Sequence, residues 1–389
     1  MPESDLDDPR LAVCRRLSEE VLKPLQSAFI GKDEIIDLLG ICLVAGENLF
    51  LLGPPGTAKS ALVQELARRL DGRVFDYLLT RFTEPNELFG PFDIRRLREG
   101  DLVTNTEGML PEADLVFLDE LLNANSAILN SLLLVLNERM FRRGRETRRL
   151  PTLAVVGASN RLPEDEALGA LFDRFLLRVR CDNVPTEQLA NVLVAGWELD
   201  TQPAPTQGSL AVEEIRKIQR LLREVDLGAI RGPLGELVQR LRHAGLQVSD
   251  RRAVKLQRAL AASALLCGRL RAQVSDLWVL RYIWDTEEQM EVLGALVQDA
   301  LHRGGADSEG LRHPRAQGNR GPDPESIARD LERMDARLQA TDLADHERSF
   351  LRDQLGVLAG RCPWVEDAQQ RAFLQAQVDG LWRILGKGP

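Results

Sequence analysis

The chain has 389 residues, too many for one ordinary domain and enough for two or three. It is 44% hydrophobic and 28% charged, with no apolar run of membrane-spanning length, so a soluble globular protein is expected and a membrane partner is not. The formal net charge of −9 argues against nucleic acid as the main partner, since a phosphate backbone selects a basic face.

Five scattered cysteines without a C-x-x-C pair, and four separate histidines, argue against a disulfide framework or a zinc centre. The acidic start MPESDLDDPR lacks the character of a leader, which makes the cytoplasm the default expectation.

Residues 9–46 carry apolar side chains at helical spacing (Leu11, Val21, Leu22, Leu25, then Ile35, Ile36, Leu39, Val44), broken at FIGKDEI around Gly31. Short β-rich runs follow at 48–52, 74–79, 115–118, 152–159 and 176–180, with helices between them, as at 59–70 and 125–139. Strands alternating with helices predict a parallel sheet covered on both faces, and the continuous apolar runs fit buried parallel strands. DNVPTEQ at 182–188 reads as a boundary, after which the pattern is helical to about residue 300. Residues 302–326, rich in Gly, Pro, Asp and Arg, read as a flexible linker. Helical spacing then returns from Ile327 to Leu385. These last stripes are too short to predict a core of their own, and Trp364 and Trp382 need cover, so the tail is expected to dock on the main body, its own or a neighbouring subunit's. A separate small bundle is the alternative.

The first candidate site is NLFLLGPPGTAKS, a strand followed by a glycine- and proline-rich turn and a helix. Gly53, Lys59 and Ser60 fit the phosphate-loop pattern, while Ala58 replaces its second glycine. Successive N–H groups from Gly53, Pro54, Pro55, Gly56, Thr57, Ala58, Lys59, Ser60 and Ala61 (the prolines excepted) would wrap a phosphate at a helix N-terminus. Lys59 would reach the β- and γ-phosphates of ATP, and Ser60 would bind Mg²⁺. Right-handed dihedrals are expected at Ala58. LVFLDE at 115–120 is an apolar strand ending in two acids: Asp119 for the Mg²⁺ shell and Glu120 to polarise the attacking water. A third strand ends in Asn160, placed to hydrogen-bond that water or the γ-phosphate. LFDRF then sets Arg174 behind a short helix and before a strand, an arginine suited to a transferring phosphoryl group. Together these motifs predict ATP hydrolysis.

With those motifs the sequence resembles the MoxR family of AAA+ ATPases, and most closely its RavA-type branch. The resemblance runs in order through GPPGTAKS, RFTEPNELFGPFDI (81–94), TEGMLPEADLVFLDE (106–120), AILNSLLLVLNERMFRRG (127–144), VGASNRLPE (156–164), LFDRF and SDRR (249–252). It implies an α/β fold: an AAA+ αβα parallel-sheet nucleotide-binding domain at 10–182 and an α-helical lid at 183–300. A linker at 301–326 and a helical C-terminal tail at 327–389 complete the expected division. It further implies that Ile30 and Gly31 contact adenine, and that Arg174 is an arginine finger acting on a neighbouring subunit. Arg251 would be sensor 2, with Arg252 as the fallback. An insert at 81–107 and a hairpin at 140–150 would face the client. A hexameric homo-oligomer, a von Willebrand A domain partner and a remodelled protein client are the expected assembly.

The basic run Arg142, Arg143, Arg145, Arg148 and Arg149 fits a solvated hairpin with acidic neighbours better than a nucleic-acid face. A nucleic-acid-stimulated motor is the alternative function. A nucleotide-dependent switch without turnover is disfavoured by Asp119, Glu120 and Arg174.

Overall fold

The computed structural model describes residues 8–98, 103–143, 146–164, 166–201, 210–303, 313–317, 324–338 and 368–385, together with 348, 351, 352, 355, 358, 359 and 362. Residues Met1–Ala316 and Gln317–Pro389 form two compact units.

The first unit is built on five parallel strands. They are β1 (Leu49–Leu52), β2 (Val74–Leu78), β3 (Leu115–Asp119), β6 (Ala154–Ser159) and β7 (Leu177–Arg180), with β4 (Met140–Arg143) and β5 (Glu146–Arg149) as a separate antiparallel hairpin. The sheet order is β2-β3-β6-β1-β7. Each strand begins and ends within two residues of its sequence-predicted limits. The reason is burial: β1 and β6 are covered along their whole length, so their apolar runs are uninterrupted. β1 lies between β6 and β7, with Leu52 opposite both Ser159 and Arg180. All five strands point the same way, so their C-terminal ends share one edge of the sheet.

The helix Lys59–Arg69 leaves that edge after β1 and Ser126–Glu138 leaves it after β3. Asn125 caps the second, its Oδ1 accepting from Ala127 N and Ile128 N at 3.1 Å each. The expected break near Gly31 separates the helices Lys23–Ala28 and Asp33–Ala45. The insert and the hairpin are knitted together. Arg143 donates to Gly90 O at 2.6 Å and lies 3.9 Å over the Phe92 ring, and Phe89 stacks on Phe141. Arg148 donates to Thr106 Oγ1 at 2.9 Å and faces Glu112 at 3.8 Å. Arg143 and Arg148 thus serve the fold, while Arg142 and Arg149 are exposed; Arg145 and residues 99–102 lie outside the described residues.

The lid consists of the helices Gly228–His243, Asp250–Leu266 and Gln289–Arg303 around a 3₁₀ segment, Val274–Tyr282. At its centre Arg269 pairs with the fully buried Asp276 at 2.8 Å, and Asp276 also accepts from Ser263 Oγ at 2.7 Å. The helix Asp250–Leu266 packs on Asp33–Ala45, which joins lid and sheet in one core. The helix Val212–Leu221 also packs on Asp33–Ala45, and Arg216 reaches Pro151 O at 2.9 Å.

Two expectations need correction. Part of the stretch read as linker is tied down: His313 is buried and stacked on Trp278 at 4.3 Å, and Arg315 pairs with Asp37 at 2.5 Å. The tail does make its own core, because Ile327, Leu331, Met334, Leu351, Leu355, Leu358, Cys362, Leu374, Val378 and Leu381 bury one another. The missing ingredient was Leu351, Leu355 and Leu358, which are buried in one cluster with residues of the helices Pro324–Leu338 and Ala368–Leu385. Trp382 packs against this core, while Trp364 lies outside the described residues.

Candidate nucleotide site

The loop at 53–58 is anchored to both neighbouring strands. Gly53 N donates to Ser159 O at 3.0 Å, and Cys181 N donates to Leu52 O at 2.7 Å. A Cβ at Gly53 would stand 2.2 Å from the Cys181 carbonyl oxygen, so only glycine lets the chain turn here. Thr57 Oγ1 closes the turn onto Pro54 O at 3.0 Å. Lys59 Nζ, buried under the loop, donates to the carbonyls of Gly53 at 3.0 Å and Pro54 at 2.8 Å. Its ammonium therefore sits beneath a turn of backbone at the start of an eleven-residue helix, with Ser60 next in the first turn.

The expected right-handed backbone at Ala58 is not found. Ala58 has φ 64° and ψ 23°, the left-handed region, which costs an alanine about 1–2 kcal/mol. The second glycine of the usual pattern is a conformational requirement, and here an alanine meets it under strain.

The other two motifs reach the same edge. Asp119 closes β3 and its Oδ1 accepts from Glu120 N at 2.9 Å. Glu120 has φ 50°, which turns the chain sharply off the strand. Partial burial and the neighbouring Asp119 charge push the Glu120 carboxyl above its ordinary value, against the opposing pull of Lys59 and Arg161. Asn160 is exposed directly after β6, the strand between β1 and β3. Three consecutive strand ends thus bring Lys59, Asn160 and the Asp119–Glu120 pair together, with strands about 4.8 Å apart. Arg161 was missed in the sequence. It donates to Asn123 Oδ1 at 3.2 Å and its charge partly offsets the upward push on the Glu120 carboxyl, and its place right after Asn160 was the available signal.

Ile30 and Gly31 lie on the β7 side of this edge. Gly31 has φ 71°, and a Cβ there would meet Val184 at 2.9 Å and Gln188 at 3.1 Å. Lys32 Nζ donates to Asp182 O, two residues beyond the end of β7.

The arginines are elsewhere. Arg174 precedes β7, and its carbonyl accepts from Asn48 Nδ2 at 2.8 Å, just before β1. This is the N-terminal edge of the sheet, and the four residues of β1 put about 13 Å between it and the loop. Arg174 pairs with Asp173 at 2.8 Å and lines one cavity with Asn137, Ser249, Arg251, Arg252 and Lys255. No loop residue lines that cavity. Arg251 is exposed and donates to Asn137 Oδ1 at 3.3 Å. Arg252 is buried, donating to Ile283 O at 2.5 Å and to Asp285 at 3.2 Å, so it is locked into the lid. The same Asp285 takes Arg178 at 2.6 Å, a fully buried guanidinium pushed down to about 9 by burial and by Arg252. Between the two candidates for the sensor position, Arg251 is the one with a free face.

A parallel sheet with a phosphate-type loop after its second-to-last strand, a paired acid on the next strand but one, and a helical lid define an AAA+ nucleotide-binding module. A family model described as the MoxR domain of MoxR–vWA–beta-propeller ternary systems matches residues 15–220, and an AAA lid domain model matches 227–297. Two proteins of Methanocaldococcus jannaschii are each 36% identical to this chain, over 288 and 270 residues. These alignments cover 73% and 69% of this chain and 74% and 71% of the relatives. Chaperone MoxR1 of Mycobacterium tuberculosis is 23% identical over 207 residues, covering 52% of this chain and 53% of that protein. A crystal structure from Cytophaga hutchinsonii, provisionally described as an ATPase, shares the fold with a TM-score of 0.62 and 19% identity, over 76% of this chain and 96% of its own. The chain belongs to the MoxR family of AAA+ ATPases.

Proposed function

We propose that the chain hydrolyses Mg-ATP and uses the cycle to remodel or activate a protein client. The observation that carries this is the convergence of Lys59, Asp119, Glu120 and Asn160 on one sheet edge. The donor set fits the group: a hydroxyl at Ser60 and a carboxylate at Asp119 suit a hard divalent cation, and N–H groups of the loop suit phosphate oxygens. When bound, Mg²⁺ neutralises charge on the β- and γ-phosphates. Lys59 exchanges its two carbonyl partners for phosphate oxygens, Glu120 orients and polarises the attacking water, and Asn160 holds that water or the γ-phosphate.

Arg174 sits at the opposite edge of the sheet, and Arg251, on the lid helix, lines the same cavity, so in this reading both serve the nucleotide of the next subunit. A ring, expected to be hexameric, follows from that division. Chaperone-type work is supported by the kinship with MoxR1. A von Willebrand A domain partner is supported by the name of the matching family model. A cytoplasmic location and kinship to the RavA-type branch belong to the same proposal. The test is nucleotide binding and phosphate release by the purified chain with and without Mg²⁺, and with DNA or RNA added. Turnover that needs nucleic acid would replace the client reading with a nucleic-acid motor.

A further inference from the structure

The turn at 29–32 walls the nucleotide edge on the β7 side, and it is tied directly to the phosphate-type loop. Lys32 Nζ donates to Asp182 O, and Val184 and Gln188 lie where a Gly31 side chain would stand. One residue before Asp182, Cys181 touches the loop. Its thiol donates to Thr57 O at 3.5 Å, and its carbonyl leaves no room for a Cβ at Gly53. Loop and turn therefore share one short segment, 181–188. A nucleoside joined to loop-bound phosphates has this turn as its neighbour on that side.

A further hold on the turn comes from much later in the chain. Asp37, one turn into the helix Asp33–Ala45, accepts from Gln26 Nε2 at 2.7 Å and, on its other oxygen, from Arg315 Nε at 2.5 Å. Gln26 lies on the helix before the turn and Asp37 on the helix after it, so this carboxylate spans the turn. Arg315, 278 residues away, fixes the carboxylate and is itself seated on the lid. Its carbonyl accepts from Arg281 at 3.0 Å, its N–H donates to His313 Nδ1 at 3.2 Å, and His313 stacks on Trp278 at 4.3 Å. Burial, with the charges of Arg315 and Arg269, pushes the His313 imidazole down to about 3, so the ring is a neutral anchor at working pH. A second residue of the lid, Tyr282, hydrogen-bonds Glu34 on the same helix as Asp37. With side chains only 26% and 17% exposed, the Arg315–Asp37 pair is sheltered from the screening that weakens surface ion pairs.

We propose that Arg315 is a positioning residue for the nucleotide base: through Asp37 it holds the Gly31 turn in the shape that receives the base. Affinity for the nucleoside half of ATP then depends on the short strap 313–316. This inference rests on the nucleotide reading of the site, with Ile30 and Gly31 as the base-contacting turn. The phosphate half is independent of the strap, because Lys59 and the loop are held by their own bonds to Gly53, Pro54 and Ser159.

Binding of ATP and of inorganic tripolyphosphate, which has the phosphates and no base, separates the two halves on the full chain. Arg315→Met keeps the half-buried stem and removes the guanidinium. It should weaken ATP and ADP binding at least about fivefold, the low end of coupling between sites, and leave tripolyphosphate binding unchanged. KM for ATP should rise by a similar factor with kcat at saturation unaltered. Asp37→Asn, which keeps an acceptor for Gln26, should do the same. The double variant should bind no more weakly than either single one, because all three lose the same contact. Arg315→Lys should recover part of the loss. Equal losses for ATP and tripolyphosphate would show a general loosening of the fold and overturn the proposal. Unchanged ATP binding in Arg315→Met, or additive losses in the double variant, would overturn it too. A wild-type chain that binds neither ligand would remove the nucleotide reading itself, and this inference with it.

Discussion

Asn48 Nδ2 donates to the Arg174 carbonyl at 2.8 Å, which pins the segment before β7 to the residue before β1. Because β1 ends in the phosphate-type loop, this bond fixes Arg174 at the far edge of the strand that carries Lys59. Arg174→Ala should therefore bind ATP with unchanged affinity and hydrolyse it at least about 100-fold more slowly. Wild-type turnover should rise in specific activity with chain concentration. Nucleotide titration and a concentration series check both; a concentration-independent rate would place the working arginine within its own subunit.

Glu120→Gln should retain ATP binding and lose at least about 100-fold in turnover, the scale of a lost catalytic group. Lys59→Ala should lose binding itself. Filter or fluorescence binding beside phosphate release distinguishes the two, and near-normal turnover by Glu120→Gln would remove the glutamate from the chemistry.

The Glu120 carboxyl is raised by burial and by Asp119. A carboxyl with a raised pKa loses its working ionised form at a higher pH than a free glutamate, so turnover should begin to fall earlier on acidification. The same shift sets a sign for stability: ionisation costs the folded state once pH rises through the raised value. Glu120→Gln should thus be slightly more stable than the wild type at neutral pH, with the difference vanishing in acid where both are neutral. Chemical denaturation at two pH values reads this, and an acid-side advantage would contradict it.

Ala58 adopts φ 64° without being glycine. Ala58→Gly should raise the unfolding free energy by up to about 1 kcal/mol, where an alanine-to-glycine change in a right-handed helix would cost about as much. A β-branched replacement such as Ala58→Val should disrupt both stability and nucleotide binding. Loss of stability in Ala58→Gly, measured by urea unfolding, would show that the strain is not there.

Asp285 is shared by Arg178 and Arg252, both buried. Removing it leaves two guanidinium groups without their carboxylate, so Asp285→Ala should cost about 3 kcal/mol. An unchanged urea midpoint would contradict this.

The sheet and the grouping of Lys59, Asp119, Glu120 and Asn160 at its edge were legible in the sequence because buried parallel strands are uninterrupted apolar runs, and each of these residues lies at the end of one or within the turn and helix start that follow it. What stayed hidden depends on dihedrals and long-range packing. The left-handed backbone of Ala58 has no signature beyond the missing glycine. The closure of the tail core depends on leucines at 351, 355 and 358 being buried with residues of its two helices. The ties of His313 and Arg315 lie in a stretch whose composition reads as linker. Asp285 follows Trp284 with nothing to announce that two arginines, 107 and 33 residues away, converge on it.

ATP turnover by a co-assembled mixture of Lys59→Ala and Arg174→Ala chains tests the division of the site between two subunits most directly. Each variant alone lacks either a phosphate-holding loop or a finger at every interface. In the mixture, the intact Arg174 of one chain meets the intact Lys59 of its neighbour, and activity should recover at a fraction of interfaces set by the mixing ratio. Mixtures shown to co-assemble yet as inactive as either variant alone would contradict the division.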